Sequence, residues 1–142
     1  MDFKKEIKSS NAPSAIGPYS QAISINGLIF VSGQIGMNPM TGNLVSDDVS
    51  EQTIQVLKNI GSILQEANLD YSSVVKSTVF ITDMNDFSKV NEVYSKYFFE
   101  PYPSRSCVQV AALPKGAKVE IEVICAKGNI PVERHSCNCV KE

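Results

Sequence analysis

A chain of 142 residues with 43% hydrophobic content can bury one sizeable core and is too apolar to remain disordered. Lys+Arg 13 against Asp+Glu 15 gives a net charge of −2, without the broad basic footprint that a phosphate backbone demands, which argues against a dedicated nucleic-acid binder. The opening MDFKKEIKSS lacks the apolar stretch of a secretory signal, and no run approaches the ~20 apolar residues of a membrane span; the expected setting is cytoplasmic, with the four cysteines as thiols.

In chain order, a short strand is expected around Lys4–Lys8, followed by a Ser-, Pro- and Gly-rich loop over Ser9–Gln21. Leu28–Ile35 (LIFVSGQI) reads as a strand running into a polar loop, and Met37–Ser46 as turns. Ser50 offers a helix N-cap; behind it Thr53, Leu57, Ile60, Leu64 and Ala67 form one stripe at steps of three and four, ending near Asn68. Val74–Thr82 is a β-branched strand. Asp83–Asp86 can cap a second helix whose inner face carries Phe87, Val90, Tyr94 and Phe98, with Pro101 and Pro103 expected to end it. Ser104–Ala112 and Lys118–Ala126 are two further strands around Leu113–Gly116.

The order β, β, α, β, α, β, β predicts an α+β fold, a mixed sheet with two helices packed on one face. One domain is expected over 1–127, with 128–142 as a tail. Two helices cover only one sheet face, so the other calls for a partner, and a homo-oligomer is expected.

If the last two strands pair as a hairpin, either of two even-length connections puts Arg105, Cys107 and Glu120 on one face. An arginine fork binds a carboxylate bidentately, a glutamate can deprotonate a water, and a cysteine offers backbone groups or a thiolate. On spacing alone, an exposed Arg105–Glu120 ion pair is the plainer account. Asn91 reads as a buried amide or a pocket group, Tyr19 as a packed loop aromatic or a lid, and Ser32-Gly33 as a turn or a hydroxyl at a site mouth. His135, Cys137 and Cys139 offer three candidate ligands where zinc sites usually take four from well-spaced elements, so a solvated tail and no metal are expected.

Four blocks, SNAPSAIGPYSQA (10–22), FVSGQIGMNPMTG (30–42), KSTVFITDMNDFSKVNEVY (76–94) and PSRSCVQVAALPKGAKVEIEV (103–123), resemble the Rid family of YjgF-type proteins, often labelled L-PSP endoribonucleases. The resemblance runs from about residue 5 to residue 127 and is closest to the deaminating subgroup. It implies a chorismate-mutase-like fold, a homotrimer with sites in the clefts between subunits, and cofactor-free hydrolysis of small 2-imino acids such as 2-iminobutanoate and 2-iminopropanoate. Such imines arise from enamines released by pyridoxal-phosphate dehydratases. By the same resemblance Arg105 anchors the substrate carboxylate, Glu120 handles the attacking water, and Cys107 contributes backbone groups. Tyr19, Ser32, Phe87 and Asn91 then line the pocket. The competing functions are an endoribonuclease or translation inhibitor, and a non-enzymatic acid-binding or chaperone-like module.

Overall fold

A computed structural model describes residues 3–128. The chain runs β1 (Lys5–Ile7), β2 (Ala22–Ile25), β3 (Leu28–Ile35), α1 (Val49–Glu66), β4 (Val74–Ile81), α2 (Phe87–Tyr94), β5 (Ser104–Gln109) and β6 (Val119–Ala126). Its strands form one mixed sheet in the order β1-β2-β3-β6-β4-β5. This is the expected α+β architecture, a sheet with two helices on one face. The candidate ligands His135, Cys137 and Cys139 lie outside the described residues.

Strict alternation drives the sheet onto the helices. Val119, Ile121, Val123 and Cys125 of β6 are all buried, as are Ser77, Val79 and Ile81 opposite them on β4. The α1 stripe meets this surface with Thr53, Leu57, Ile60 and Leu64 fully buried. Its cap is Asp48, not Ser50: the Asp48 carboxylate accepts from Glu51 N at 2.9 Å, which satisfies an orphan amide and complements the positive helix end. Ser50 lies inside the first turn. At the other end Asn68 takes a left-handed φ of 61° and Leu69 N returns to Leu64 O at 2.9 Å.

Three differences from the sequence expectation matter. First, β2 is a strand the periodicity did not reveal, joined to β3 by Asn26-Gly27 with φ of 50° and 80°, a two-residue hairpin turn. Second, α2 ends at Tyr94, well before Pro101; a tightening turn stops it, with Lys96 N on Val93 O and Tyr97 N on Tyr94 O. Third, β5 and β6 are not a hairpin. β5 pairs parallel with β4, which requires a crossover, and α2 supplies it; β4 therefore lies between β5 and β6. β6 buries a full apolar face and suits the middle of the sheet, whereas Ser-Arg-Ser-Cys-Val-Gln buries no residue and suits the edge.

The face away from the helices carries Ile23, Ile25, Phe80 and Ile124, with Leu28, Phe30 and Val108 exposed at 37%, 41% and 42%. No helix of the described residues is long and apolar enough to cross a membrane.

Candidate functional site

Arg105 faces α2. Pairing with Ser77 sets it on the helix side of β5, where its Nη1 donates to Asn91 Oδ1 at 2.7 Å. Its guanidinium carbon lies 4.8 Å from the Tyr94 ring centroid and 5.5 Å from that of Phe87. The Tyr94 hydroxyl is itself fixed by Ser77 Oγ at 2.7 Å. The plainer account of Arg105 fails here: among the described residues its partners are an amide oxygen and two rings, and no carboxylate neutralises it. The charge borders an open cavity of about 460 Å³ shared with Asn91, Tyr94 and Tyr102. Asn91 is thus neither spare nor merely packed; it aims the guanidinium.

Cys107 sits two residues along the same face, opposite Val79 and half-buried. Burial pushes its thiol pKa up, and the Arg105 charge offsets only part of that. The side chain is therefore a neutral thiol near pH 7, unsuited to attack as a thiolate.

Glu120 belongs to a second cleft, of about 370 Å³, walled by Pro13, Tyr19, Gln21, Gly33 and Lys115. A bulge between Val31 and Gln34 presents Gly33 to the Glu120 carboxylate so closely that a Cβ at position 33 would collide with it. Burial first, then the neighbouring Glu122 carboxylate, pushes the Glu120 carboxyl above its usual range. Such a group can take and return a proton nearer neutrality than an ordinary carboxylate. Tyr19 is 53% exposed at the cleft wall. Ser32 Oγ donates to Ser20 O at 2.6 Å and its amide to Gln21 O at 2.9 Å, so within one chain the hydroxyl fastens the loop beside Gly33.

The sequence does not single out Gln21 and Lys115 as wall residues, nor the close approach of Gly33 to Glu120. A lone glycine in a strand pattern is a signal for a bulge or close approach and could have revealed Gly33. Lys115 takes a left-handed φ of 57° between Pro114 and Gly116, which only the folded turn reveals.

The two clusters do not meet within one chain. Glu120 pairs with Phe80 and so faces away from the helices, while Arg105 pairs with Ser77 and faces them. They are also two strand spacings apart, roughly 10 Å in the plane of the sheet. The expectation that Arg105, Cys107 and Glu120 share a face is overturned for Glu120, because the register assumed two adjacent strands and β4 separates them.

The family described as Endoribonuclease L-PSP matches residues 9–127. The chain is 50% identical over 126 residues to the human 2-iminobutanoate/2-iminopropanoate deaminase, covering 89% of this chain and 92% of that protein. Among solved structures, the Rid-family protein YyfA of Yersinia pestis is 55% identical with a TM-score of 0.85, covering 87% of this chain and 98% of that one. E. coli TdcF, solved with bound serine, is 46% identical with a TM-score of 0.82, covering 87% and 99%.

Proposed function

The chain belongs to the Rid family, and on that premise we propose that it hydrolyses small 2-imino acids to 2-oxo acids and ammonia. The observation that carries the reading is the Arg105 guanidinium, which has no carboxylate partner among the described residues and is held open to a cavity by Asn91 and two aromatic rings. A planar fork in that state suits a carboxylate. The substrate then arrives with its acid group fixed and its C=N bond beside Cys107.

Hydrolysis needs a water and a proton carrier, both roles for Glu120. One carboxylate oxygen takes a proton as water oxygen bonds to the imine carbon, giving a tetrahedral carbinolamine. The same carboxyl returns that proton to the imine nitrogen and then carries the hydroxyl proton there as well, so the C–N bond breaks as the C=O bond forms and ammonia and the 2-oxo acid leave. An imine conjugated to a carboxylate already reacts with water, so positioning and one well-tuned proton carrier suffice. No cofactor is needed in this scheme.

Because Arg105 and Glu120 face opposite ways, the reading requires sites built between copies. Arg105, Cys107, Phe87 and Asn91 would come from one protomer, and Tyr19, Ser32 and Glu120 from its neighbour in a homotrimer. The bare apolar sheet face with Phe30 and Val108 supports such packing. A single domain over 1–127 with a tail over 128–142 completes this organisation, and the free thiols of Cys107 and Cys125 suit a reducing, cytoplasmic setting.

The direct test generates 2-iminobutanoate from threonine with a dehydratase and follows ammonia release. Catalytic amounts of the protein are expected to speed imine loss; a rate equal to that in buffer would refute the reading. A pH prediction accompanies it. Glu120 serves as a base only when ionised, and its raised pKa places the acidic limb of kcat/KM above the ordinary carboxylate range. Glu122→Gln removes the like charge, lowers the Glu120 pKa and moves that limb to lower pH. A superimposable pH profile would remove Glu122 from the account.

A further inference from the structure

Gln21 is 3% exposed, and its carboxamide is saturated by backbone. Oε1 accepts from Ser9 N at 2.6 Å, while Nε2 donates to Pro13 O at 2.7 Å and to Ser9 O at 3.1 Å, with a longer contact to Ala12 O at 3.4 Å. Residues 9–13 have no strand pairing of their own, so one side chain does the work of a ladder for them. The Gln21 carbonyl accepts the Ser32 amide, and the Ser20 carbonyl accepts the Ser32 hydroxyl. Both ties end on the bulge that presents Gly33 to Glu120.

Residues 14–19 therefore hang between two anchored ends, Pro13 and Ser20. Their own support is slight: Tyr19 N bonds Gly17 O at 2.9 Å, across a glycine at φ 124°, and Ile16 N reaches the Tyr19 hydroxyl only at 3.4 Å. Tyr19 makes no other side-chain hydrogen bond among the described residues. The position of its ring over the Glu120 cleft is thus inherited from the amide that pins the base of the loop.

We infer that Gln21 is a positioning residue: its carboxamide fixes the distance between Tyr19 and Glu120 and so shapes the cleft that receives the imino acid. The inference rests on the deaminase reading for its kinetic consequence, though not for the placement of Tyr19. Methionine at position 21 has similar bulk and no hydrogen bonds to offer. It frees Pro13 O and the Ser9 groups, the loop tip detaches, and substrate binding weakens while Glu120 keeps its seat against Gly33. The chemistry on bound substrate is then largely preserved.

The chain contains no tryptophan, so Tyr19→Trp places a single indole reporter in the full-length protein. Adding Gln21→Met to it is expected to red-shift the indole emission and raise its quenching by acrylamide several-fold. In the Tyr19 background, Gln21→Met is expected to raise KM about tenfold and to change kcat less than about threefold, with an unshifted pH profile. Gln21→Asn, too short to span Ser9 and Pro13, carries the same test if the methionine variant does not assemble. Tyr71→Phe removes another side-chain bond to backbone, the part-buried Tyr71 Oη to Leu57 O at 2.6 Å, outside the cleft lining, and is expected to move neither readout. Unchanged indole quenching and KM in a folded Gln21 variant would overturn the inference, as would equal changes in Tyr71→Phe. Should the unsubstituted protein leave imine loss at its rate in buffer, the deaminase reading fails, and indole quenching alone still decides whether Gln21 places residue 19.

Discussion

Arg105→Ala and Glu120→Ala, each inactive alone, are expected to regain activity when their chains are unfolded together and reassembled as a mixture. The reason is geometric. Arg105 lies on the helix side of the sheet and Glu120 on the other, so each proposed site takes its guanidinium from one copy and its carboxylate from the next. A site is intact only where an intact Arg105 meets an intact Glu120, and random equal mixing in a closed ring leaves about one quarter of sites whole. Ammonia release near a quarter of the unsubstituted rate is the expected reading. A mixture as inactive as its components would place both groups in one chain's cavity, against the sheet order described above.

Arg105→Ala alone should lower kcat/KM for 2-iminobutanoate by roughly 100- to 1,000-fold, the scale of losing a two-point charge-assisted anchor together with the orientation it gives. Arg105→Lys is expected to recover little. A lysine offers one compact charge, which cannot both donate to Asn91 and present a fork to the substrate, and it stacks less well over Tyr94 and Phe87. Size-exclusion with light scattering should show the oligomer unaltered, because the side-chain hydrogen bond that Arg105 makes is to Asn91 of its own chain, at the rim of an open cavity. Undiminished ammonia release by the alanine variant would remove Arg105 from the mechanism.

Elements whose pattern is local were legible in the sequence. The steps of three and four from Thr53 to Leu64 give α1, and the β-branched run from Val74 gives β4. Partner choice was not legible in the same way. Alternation along Ser104–Gln109 shows which residues share a face, but not which strand lies alongside; that depends on how deep each strand must be buried. The clue was the contrast between a polar β5 and a β6 with a continuous apolar face. β2 has a local signal in Asn26-Gly27 between apolar stretches, but the polar loop before it masks the start of the strand.

At the site, residue type and family resemblance pointed to Arg105, Asn91, Phe87, Cys107 and Glu120. Composition does not show that Asn91 aims Arg105, that Ser32 fastens a loop, or that Gln21 holds residues 9–13. An amide side chain declares its role only through the backbone groups it meets, and those come from distant parts of the chain.

Gly33 and Glu120 share one parcel of space: the carboxylate occupies the volume that any side chain at position 33 would need. Even an alanine there must displace the acid group on the adjacent strand, although the buried Val31, Gln34 and Ile121 around it would scarcely register the change. On the proposed mechanism, the smallest substitution on this strand would thus push the proton carrier from its seat while leaving the fold standing.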